Sequence, residues 1–525
     1  MSTNLSLYNM LIENIESRKD SLAIIDNFHN VTYGEVGEKV KHISQKLNDK
    51  NIDKIGIYID NSSSLIYGIW SAIAADLAYI PLAVEYPDLR IKYIIDNSNI
   101  KYILTTNSLK YKIQKIVSKE ISILTIEDLF LDKTKNIKIL STKNYFNDTT
   151  YIIFTSGSTG APKGVSISPL NIINQLKWLK RKNFLGSDTR ILHKTPIGFD
   201  AAQWEILSLA AGSCIIVGCV DIYKNVDLLI EYIDKHKVNT LQCVPTLLSN
   251  LVIEDKFSQC LSLDKIFSGG EKLTAGLCKQ IFNKLPKIQL INLYGPTETT
   301  INASYFEVKA HELPEDNNYI IPLGVTVDNV KFRILDKNLR DTKQGEIGEL
   351  YISGLQNSKG YYNREDLTTE RFIKLNSNEI YYKTGDLCFL NQSGNFIFKG
   401  RIDNQVKLRG YRVELDEINA SIESHPWVKN SATTIVNNNN TDFLISFVEL
   451  NQREAALMDS NVAESHHKSK KSRTQVKAQL NNNSSRTFDF IDYVIEPPVD
   501  DQELRKKIFS RKNYRFYEGD YNSNE

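Results

Sequence analysis

Six cysteines, no excess of charge and no long apolar run remove several classes of protein from consideration for this chain of 525 residues. Cys214, Cys219, Cys243, Cys260, Cys278 and Cys388 are scattered in apolar surroundings, none at C-x-x-C spacing and none beside paired histidines. That pattern argues against a disulfide framework or a zinc site and for reduced, buried thiols in a cytoplasmic protein. Lys and Arg total 64 against 63 Asp and Glu, a net charge of +1, so no nucleic-acid partner and no anionic membrane surface is expected. The most apolar stretch, Leu65 to Val84, contains Asp76 and Pro81 and breaks short of a span, and Met1 to Asp20 carries charges throughout with no apolar export core. No membrane segment is expected, and no internal repeat is evident. Lys468 to Arg473 is basic but lacks interleaved aromatics, so it reads as solvated linker.

The 41% hydrophobic and 24% charged content suits a globular enzyme, and the length calls for two to four domains. Short apolar runs alternate with helical patterns: Leu22–Ile25, Lys54–Ile59, Ala78–Leu82, Tyr102–Thr105 and Ile121–Leu124 read as strands. Tyr33–Leu47 reads as a helix, and a second helix capped by Ser62 runs to about Ala75. Ser213–Val217, Thr240–Val244, Lys265–Phe267 and Gln289–Leu293 continue the rhythm, each strand ending in polar or glycine residues. The alternation predicts an α/β fold with layered parallel sheets, whose ligands sit beyond the carboxyl ends of the strands. From about 320 to 400 the pattern shortens to strands with turn signals, a small β-rich unit. Gly400–Gly410 is polar and glycine-bounded, which suits a hinge. A helix near Leu415–Ser424 and a strand at Asp442–Val448, with a turn at Asn437–Asn440, begin a small α+β unit.

The most informative stretch is Tyr151-Ile-Ile-Phe-Thr-Ser-Gly-Ser-Thr-Gly-Ala-Pro-Lys-Gly-Val165. A buried strand opening into Thr155, Ser156, Gly157, Ser158, Thr159 and Gly160 presents N–H groups and hydroxyls to an anion, and Lys163 adds charge. It is not the P-loop, because Lys163 is followed by Gly164 and the glycine spacing differs. An ordinary glycine-rich turn between strand and helix is the alternative.

Further motifs bear on that choice. The loop, Leu77–Arg90, Asn292-Leu-Tyr-Gly-Pro-Thr-Glu-Thr-Thr300, Tyr382-Lys-Thr-Gly-Asp-Leu387 and Gly400–Glu414 occur in the order found in adenylate-forming enzymes. Over residues 5–450 the chain resembles the adenylation domains of nonribosomal peptide synthetases. The resemblance implies a large core over residues 1–401, made of two layered α/β subdomains plus a small β-barrel. A partial C-terminal adenylation subdomain follows over 402–450, with Asp403 as the hinge. It implies ATP and Mg2+ as cofactors. Thr155 to Gly160 and Lys163 would hold the β- and γ-phosphates. Tyr294 would face adenine, Asn292 its exocyclic amine and Thr297 the α-phosphate. Glu298 would ligate the metal, Asp386 the ribose hydroxyls, and Arg401 would reach the nucleotide from the hinge side.

The same resemblance places Asp200 on a substrate α-ammonium, selecting amino acids over plain carboxylic acids. The pocket carried over comprises Asp200, Ala201, Trp204, Gln242, Phe267, Gly269, Leu293, Ile301 and Asn302. Trp204 and Phe267 are apolar walls, Gly269 leaves room, and Gln242 and Asn302 are neutral amides. With no cation in the set, glutamine fits, whereas glutamate would bury an unpaired charge at a cost of several kcal/mol. If Gln242 bonds only backbone, a leucine-like site results.

Beyond Val448 the chain departs from the family. The expected Gly-Lys motif, whose lysine reaches the reacting groups, is not found, a loss on the order of 10²–10³ in rate if it resembles a lost oxyanion donor. Residues 451–486 read as a polar linker. Residues 487–525, with Glu496-Pro-Pro-Val-Asp-Asp-Gln-Glu-Leu504 and Phe509–Phe516, resemble the lead-in to a nitroreductase-like flavin oxidase. A chance likeness in a disordered extension is the other reading. With the glutamine-type pocket, the whole is similar to the front part of the indigoidine (blue-pigment) synthetases. That similarity implies a peptidyl carrier domain bearing 4'-phosphopantetheine, in cis or in trans, FMN for an oxidase body that is not present, and room for an MbtH-like helper. Two other functions stay open: an acyl- or aryl-CoA synthetase of the same fold, and a non-catalytic remnant that binds ATP and amino acid.

Overall fold

The computed structural model describes residues 6–27, 29–131, 149–157, 161–375, 379–408, 410–426, 428–438 and 441–450. The expected linker and flavin-oxidase lead-in lie outside these residues. Contacts divide the chain into Met1–Gly157 with Ala161–Val413, and Ser158–Gly160 with Glu414–Glu525. The division falls at Val413/Glu414, twelve residues beyond the 401/402 boundary expected from the sequence.

The first unit carries the layered α/β architecture. One sheet has six strands in the order Ser122–Thr125, Tyr102–Thr105, Lys54–Tyr58, Ala78–Pro81, Tyr151–Thr155, Lys163–Ile167. The first five run parallel and the last antiparallel. The second sheet has nine strands, with six parallel ones from Gln289–Tyr294 through Lys265–Gly269, Thr240–Cys243, Arg190–His193 and Cys214–Val217 to Leu22–Ile25. Antiparallel strands close both of its edges. The parallel strands read as continuous apolar runs because helices cover both their faces.

Helix starts follow their capping residues. Ser62 accepts from Leu65 N at 3.4 Å and opens Ser63–Ala74. Thr32 and Glu35 form a reciprocal capping box on Tyr33–Asn48. These helices, with Leu7–Ser17 and Pro169–Arg181, contribute to a core that draws residues from both sheets and contains Trp70, Trp178 and Trp204, each at most 1% exposed. Truncating any of the three to Ala costs about 3–5 kcal/mol.

A five-stranded antiparallel sheet stands where the small barrel was expected: Val330–Leu335, Gly348–Gly354, Phe372–Lys374, Ile380–Leu390 and Phe396–Arg401. The expected polar hinge is more regular than its composition suggested. Gly400 and Arg401 finish a strand, and Gln405–Leu408 pairs with Tyr411–Glu414.

In the second unit the helix Leu415–Glu423 precedes an antiparallel hairpin of Val428–Asn438 and Thr441–Leu450. The first of these strands was not read from the sequence: its run of Asn, Ser and Thr around Ala432 and Ile435 carries only a weak apolar alternation. No helix among the described residues is long and apolar enough to cross a membrane.

Candidate active site

The glycine-rich loop is the turn of an antiparallel hairpin, with Thr155 opposite Lys163. The alternative of a turn between strand and helix is thereby corrected: residue 163 opens a strand that hydrogen-bonds back onto Tyr151–Thr155. Ser158, Thr159 and Gly160 lie outside the described residues. At Gly157 a Cβ would stand 2.1 Å from the Ala161 carbonyl oxygen, so only glycine lets the loop close. The Thr155 hydroxyl is buried without a hydrogen-bond partner, an orphan suited to a phosphate oxygen. Ser156 Oγ donates to Arg412 O at 2.9 Å.

Lys163 is buried and faces a carboxylate. Its Nζ stands 3.3 Å from Glu298 Oε1 and donates to the Tyr361 hydroxyl at 3.1 Å. Tyr361 in turn donates to Glu298 Oε1 at 2.7 Å, and Arg412 Nη1 donates to Glu298 Oε2 at 2.7 Å. Burial works against the charge on Glu298, yet Arg412 and Lys163 outweigh it and hold the carboxyl well below the usual range. Burial pushes Lys163 down to about 8, against the pull of Glu298. Tyr361 and Arg412 escaped the sequence reading. Arg412 lies within the Gly400–Glu414 motif but was given no role from it, and Tyr361 lies between motifs.

At the nucleotide end, Tyr294 donates to Asp386 Oδ2 at 2.5 Å, and Asp386 Oδ1 accepts from Arg401 Nη1. Arg401 also holds Asp403 through Nε at 2.6 Å and Nη2 at 2.8 Å. The residue expected to meet nucleotide and the expected hinge residue are thus one ion pair. Asn292 spends its Nδ2 on Pro322 O at 2.8 Å, which leaves Oδ1 as the atom able to accept from an exocyclic amine. Lys407, given no role from the sequence, places Nζ 5.9 Å from the Tyr294 ring centroid.

The residues expected to line the amino-acid pocket gather at the carboxyl ends of three parallel strands. Gln242 pairs in register with Phe267, and Gly269 with Leu293. Trp204 and Phe267 meet edge to face at 5.3 Å. A Cβ at Gly269 would come 3.1 Å from the Leu293 carbonyl oxygen, so this glycine lets strand ends approach as well as sparing volume. Asp200 opens the helix Asp200–Leu207 and accepts from the Thr297 hydroxyl at 2.6 Å. Burial pushes its carboxyl up, against the Thr297 hydrogen bond, and no ion pair among the described residues neutralises it. Ala201 follows it on the same helix turn.

Ile301 and Asn302 follow a strained turn. Thr300 and Ile301, both β-branched, hold φ of 52° and 69°. Such residues cost on the order of 1–3 kcal/mol each and persist where surroundings overdetermine them. Here the surrounding group is the fully buried Gln356. Its Nε2 shares two hydrogens among Thr300 O at 3.1 Å, Asn302 O at 3.0 Å and Gln175 Oε1 at 2.7 Å, and Thr300 Oγ1 donates to Gln356 O at 2.8 Å. No sequence signal marked Gln356, because its role exists only in the assembled fold.

The arrangement brings a buried cation, orphan hydroxyl and carboxylate together at one end, and an unneutralised carboxylate with neutral amides at the other. No group of three or more His, Cys, Asp or Glu side chains among the described residues is placed to hold an ion. Mg2+ bridging phosphates asks less, one or two carboxylates, a demand that Glu298 meets once Arg412 leaves Oε2. A model of the AMP-binding enzymes matches residues 11–362. The chain belongs to the AMP-binding enzyme family. It is 42% identical to an indigoidine synthase of Streptomyces lavendulae over 98% of its own length and 41% of that protein's. With an indigoidine synthase of Dickeya dadantii (strain 3937) it shares 40% identity over 95% and 35% of the two lengths. The chain thus spans about two fifths of these relatives. Zwittermicin A synthase ZmaJ of Bacillus cereus is 32% identical over 78% of the chain and 79% of its own length. Among solved structures, the fold matches NpsA-ThdA, an artificially fused adenylation-PCP di-domain of Klebsiella oxytoca, with a TM-score of 0.75 at 21% identity, covering 88% of this chain and 92% of that one. A four-domain nonribosomal peptide synthetase bound to AMP and glycine, AB3403, matches at a TM-score of 0.66 and 28% identity, over 87% of this chain and 34% of that one. This AMP-binding enzyme is therefore similar to nonribosomal peptide synthetase adenylation domains in both sequence and fold.

Proposed function

We propose that this AMP-binding enzyme activates an amino acid, glutamine, as its adenylate. A carboxylate oxygen of the amino acid attacks the α-phosphorus of ATP, the bond to the bridging oxygen breaks, and pyrophosphate leaves. The observation that carries the amino-acid reading is Asp200: a carboxylate pushed up by burial, held by Thr297 and lacking an ion-pair partner among the described residues, is completed by an α-ammonium. A plain acyl or aryl acid would leave it bare, which disfavours the CoA-synthetase alternative.

The chain's contribution is positioning and charge neutralisation. Lys163 and the Thr155 hydroxyl hold the phosphates, Asn292 and Tyr294 the base, and Asp386 the ribose. Mg2+ would neutralise phosphate charge at Glu298, a position that requires Arg412 to leave Oε2. Arg401 would serve the nucleotide only by loosening its hold on Asp386 or Asp403, which fits a hinge at Asp403. The neutral amides Gln242 and Asn302 support glutamine over glutamate, and the likeness to two indigoidine synthases agrees with the resemblance read in the motifs. A carrier-domain thiol as acceptor is supported by the adenylation-PCP neighbour.

Amino-acid-dependent ATP–pyrophosphate exchange tests the reading. Glutamine is expected to drive exchange well above glutamate and leucine. A folded protein that shows no exchange, whichever amino acid is supplied, would mark a binding remnant instead.

A further inference from the structure

Beneath Gln242 lies a buried polar cluster that the reaction does not use. His193 Nδ1 is 2.8 Å from Glu205 Oε2, with both side chains fully buried. Lys194 N and Thr195 N each donate to Glu205 Oε2 at 3.3 Å. Thr195 Oγ1 bonds Glu205 Oε1 at 2.7 Å, Lys194 Nζ reaches Thr195 Oγ1 at 3.3 Å, and Lys194 Nζ stands 4.0 Å from Glu205 Oε1. The last member is Gln242, whose amide Oε1 position lies 3.4 Å from Thr195 Oγ1.

Counting hydrogens decides how these groups face one another. Two backbone N–H groups, the Thr195 hydroxyl, the His193 ring and a lysine surround Glu205, so it is an ionised carboxylate and accepts only. Thr195 has one hydroxyl hydrogen, and the shortest contact, to Glu205, takes it. One lone pair of Oγ1 then accepts from Lys194, and the other faces Gln242. With the amide oxygen of Gln242 at that position, two acceptors would oppose each other with no hydrogen between them. The oxygen and nitrogen of an amide have the same shape, and the hydrogen-bond network assigns them. Turning the amide by 180° lets Nε2 donate to Thr195 and sends Oε1 the other way. Gln242 is 7% exposed, so what it offers beyond its protein neighbours is a carbonyl acceptor.

Asn302 supplies the complement. It is 6% exposed, and its Nδ2 is buried with no hydrogen-bond partner. An acceptor and a free donor match a neutral side-chain carboxamide, whose NH2 meets Oε1 and whose carbonyl accepts from Nδ2. A carboxylate would set its oxygen against Oε1, and an aliphatic chain would leave Gln242 Oε1 and Asn302 Nδ2 unpaired.

We propose that Thr195, held by Glu205, is a positioning residue that fixes the Gln242 carbonyl toward the substrate and so selects a side-chain carboxamide. The inference rests on the reading of Gln242 and Asn302 as pocket residues. Exchange kinetics of the full chain test it with Thr195→Val, which keeps the shape and removes the oxygen, and Thr195→Ser, which keeps the oxygen. Thr195→Val is expected to raise KM for glutamine about five- to tenfold, the worth of one hydrogen bond, and to narrow the preference over glutamate. The kcat and the KM for ATP stay within about twofold, and Thr195→Ser restores the wild-type KM. Kd for glutamine by calorimetry, with a non-hydrolysable ATP analogue present, gives the same comparison without turnover. Glutamine activation or binding unchanged by Thr195→Val overturns this inference alone, as does a Thr195→Ser variant that fails equally. A wild-type chain that takes leucine or glutamate and not glutamine overturns the substrate reading and this inference together.

Discussion

Arg412 donates from Nη1 to Oε2 of Glu298 at 2.7 Å, on the carboxylate proposed to meet Mg2+. Glu298 is fully buried and also faces Lys163, so one anion holds two cations. Removing the anion strands both. Glu298→Gln is expected to lower stability by about 3 kcal/mol or more in urea unfolding, since an unpaired buried charge costs more than the pair contributed. Exchange is expected to fall by about 10²-fold or more, because the proposed metal site loses its charge.

Lys163 gives a pH dependence with two opposite signs. Its ordinary value is 10.5, and burial brings it to about 8. Between those values the unfolded chain holds a proton that the folded chain has shed, so this group's contribution to stability rises with pH across that window. ATP affinity runs the other way, because a neutral amine adds no charge to the phosphate site. Calorimetric ATP binding at pH 7 and pH 9.5 is expected to weaken at the higher pH in the wild type. In Lys163→Ala that difference disappears.

Asp200→Ala separates amino acid from nucleotide. Losing a charge-assisted hydrogen bond worth about 1.5–3 kcal/mol is expected to raise KM for the amino acid by about ten- to a hundredfold. Binding of ATP alone is expected to stay unchanged. An Asp200→Ala variant with full activity on a carboxylic acid would favour the CoA-synthetase alternative.

Gln356→Leu tests the strained turn. The substitution takes the side-chain donor from the Asn302 carbonyl, leaves the Thr300 carbonyl only the Asn302 N–H, and releases the backbone at two positive-φ residues. A stability loss of about 2–4 kcal/mol is expected in thermal or urea unfolding. KM for the amino acid is expected to rise with it, whereas KM for ATP is not.

Residues that announce themselves by local pattern were legible in the sequence. The apolar runs at Lys54–Tyr58 and Gln289–Tyr294 form strands, and Ser62 caps the helix expected of it. Thr155, Lys163 and Glu298 come together in the fold, as do Asp200 and Thr297. What stayed hidden depends on long-range contact. Tyr361 and Gln356 act on Glu298 and Thr300 from 63 and 56 residues away. Thr195 is read by where its one hydroxyl hydrogen points, toward the accepting Glu205, which no spacing reveals. The strand Val428–Asn438 was missed for a different reason: pairing with Thr441–Leu450, not side-chain pattern, defines it.

Gln356 has a bearing on attempts to exchange specificity between related domains. It follows the Gly348–Gly354 strand, yet it grips the backbone on which Ile301 and Asn302 are mounted, and it leans on Gln175 from the helix Pro169–Arg181. The proposed pocket wall and its fastening therefore come from three separate stretches of chain. A graft that moves the lining side chains alone would seat a new turn on an old bolt. The smallest transferable piece includes residue 356 and the helix face that supports it.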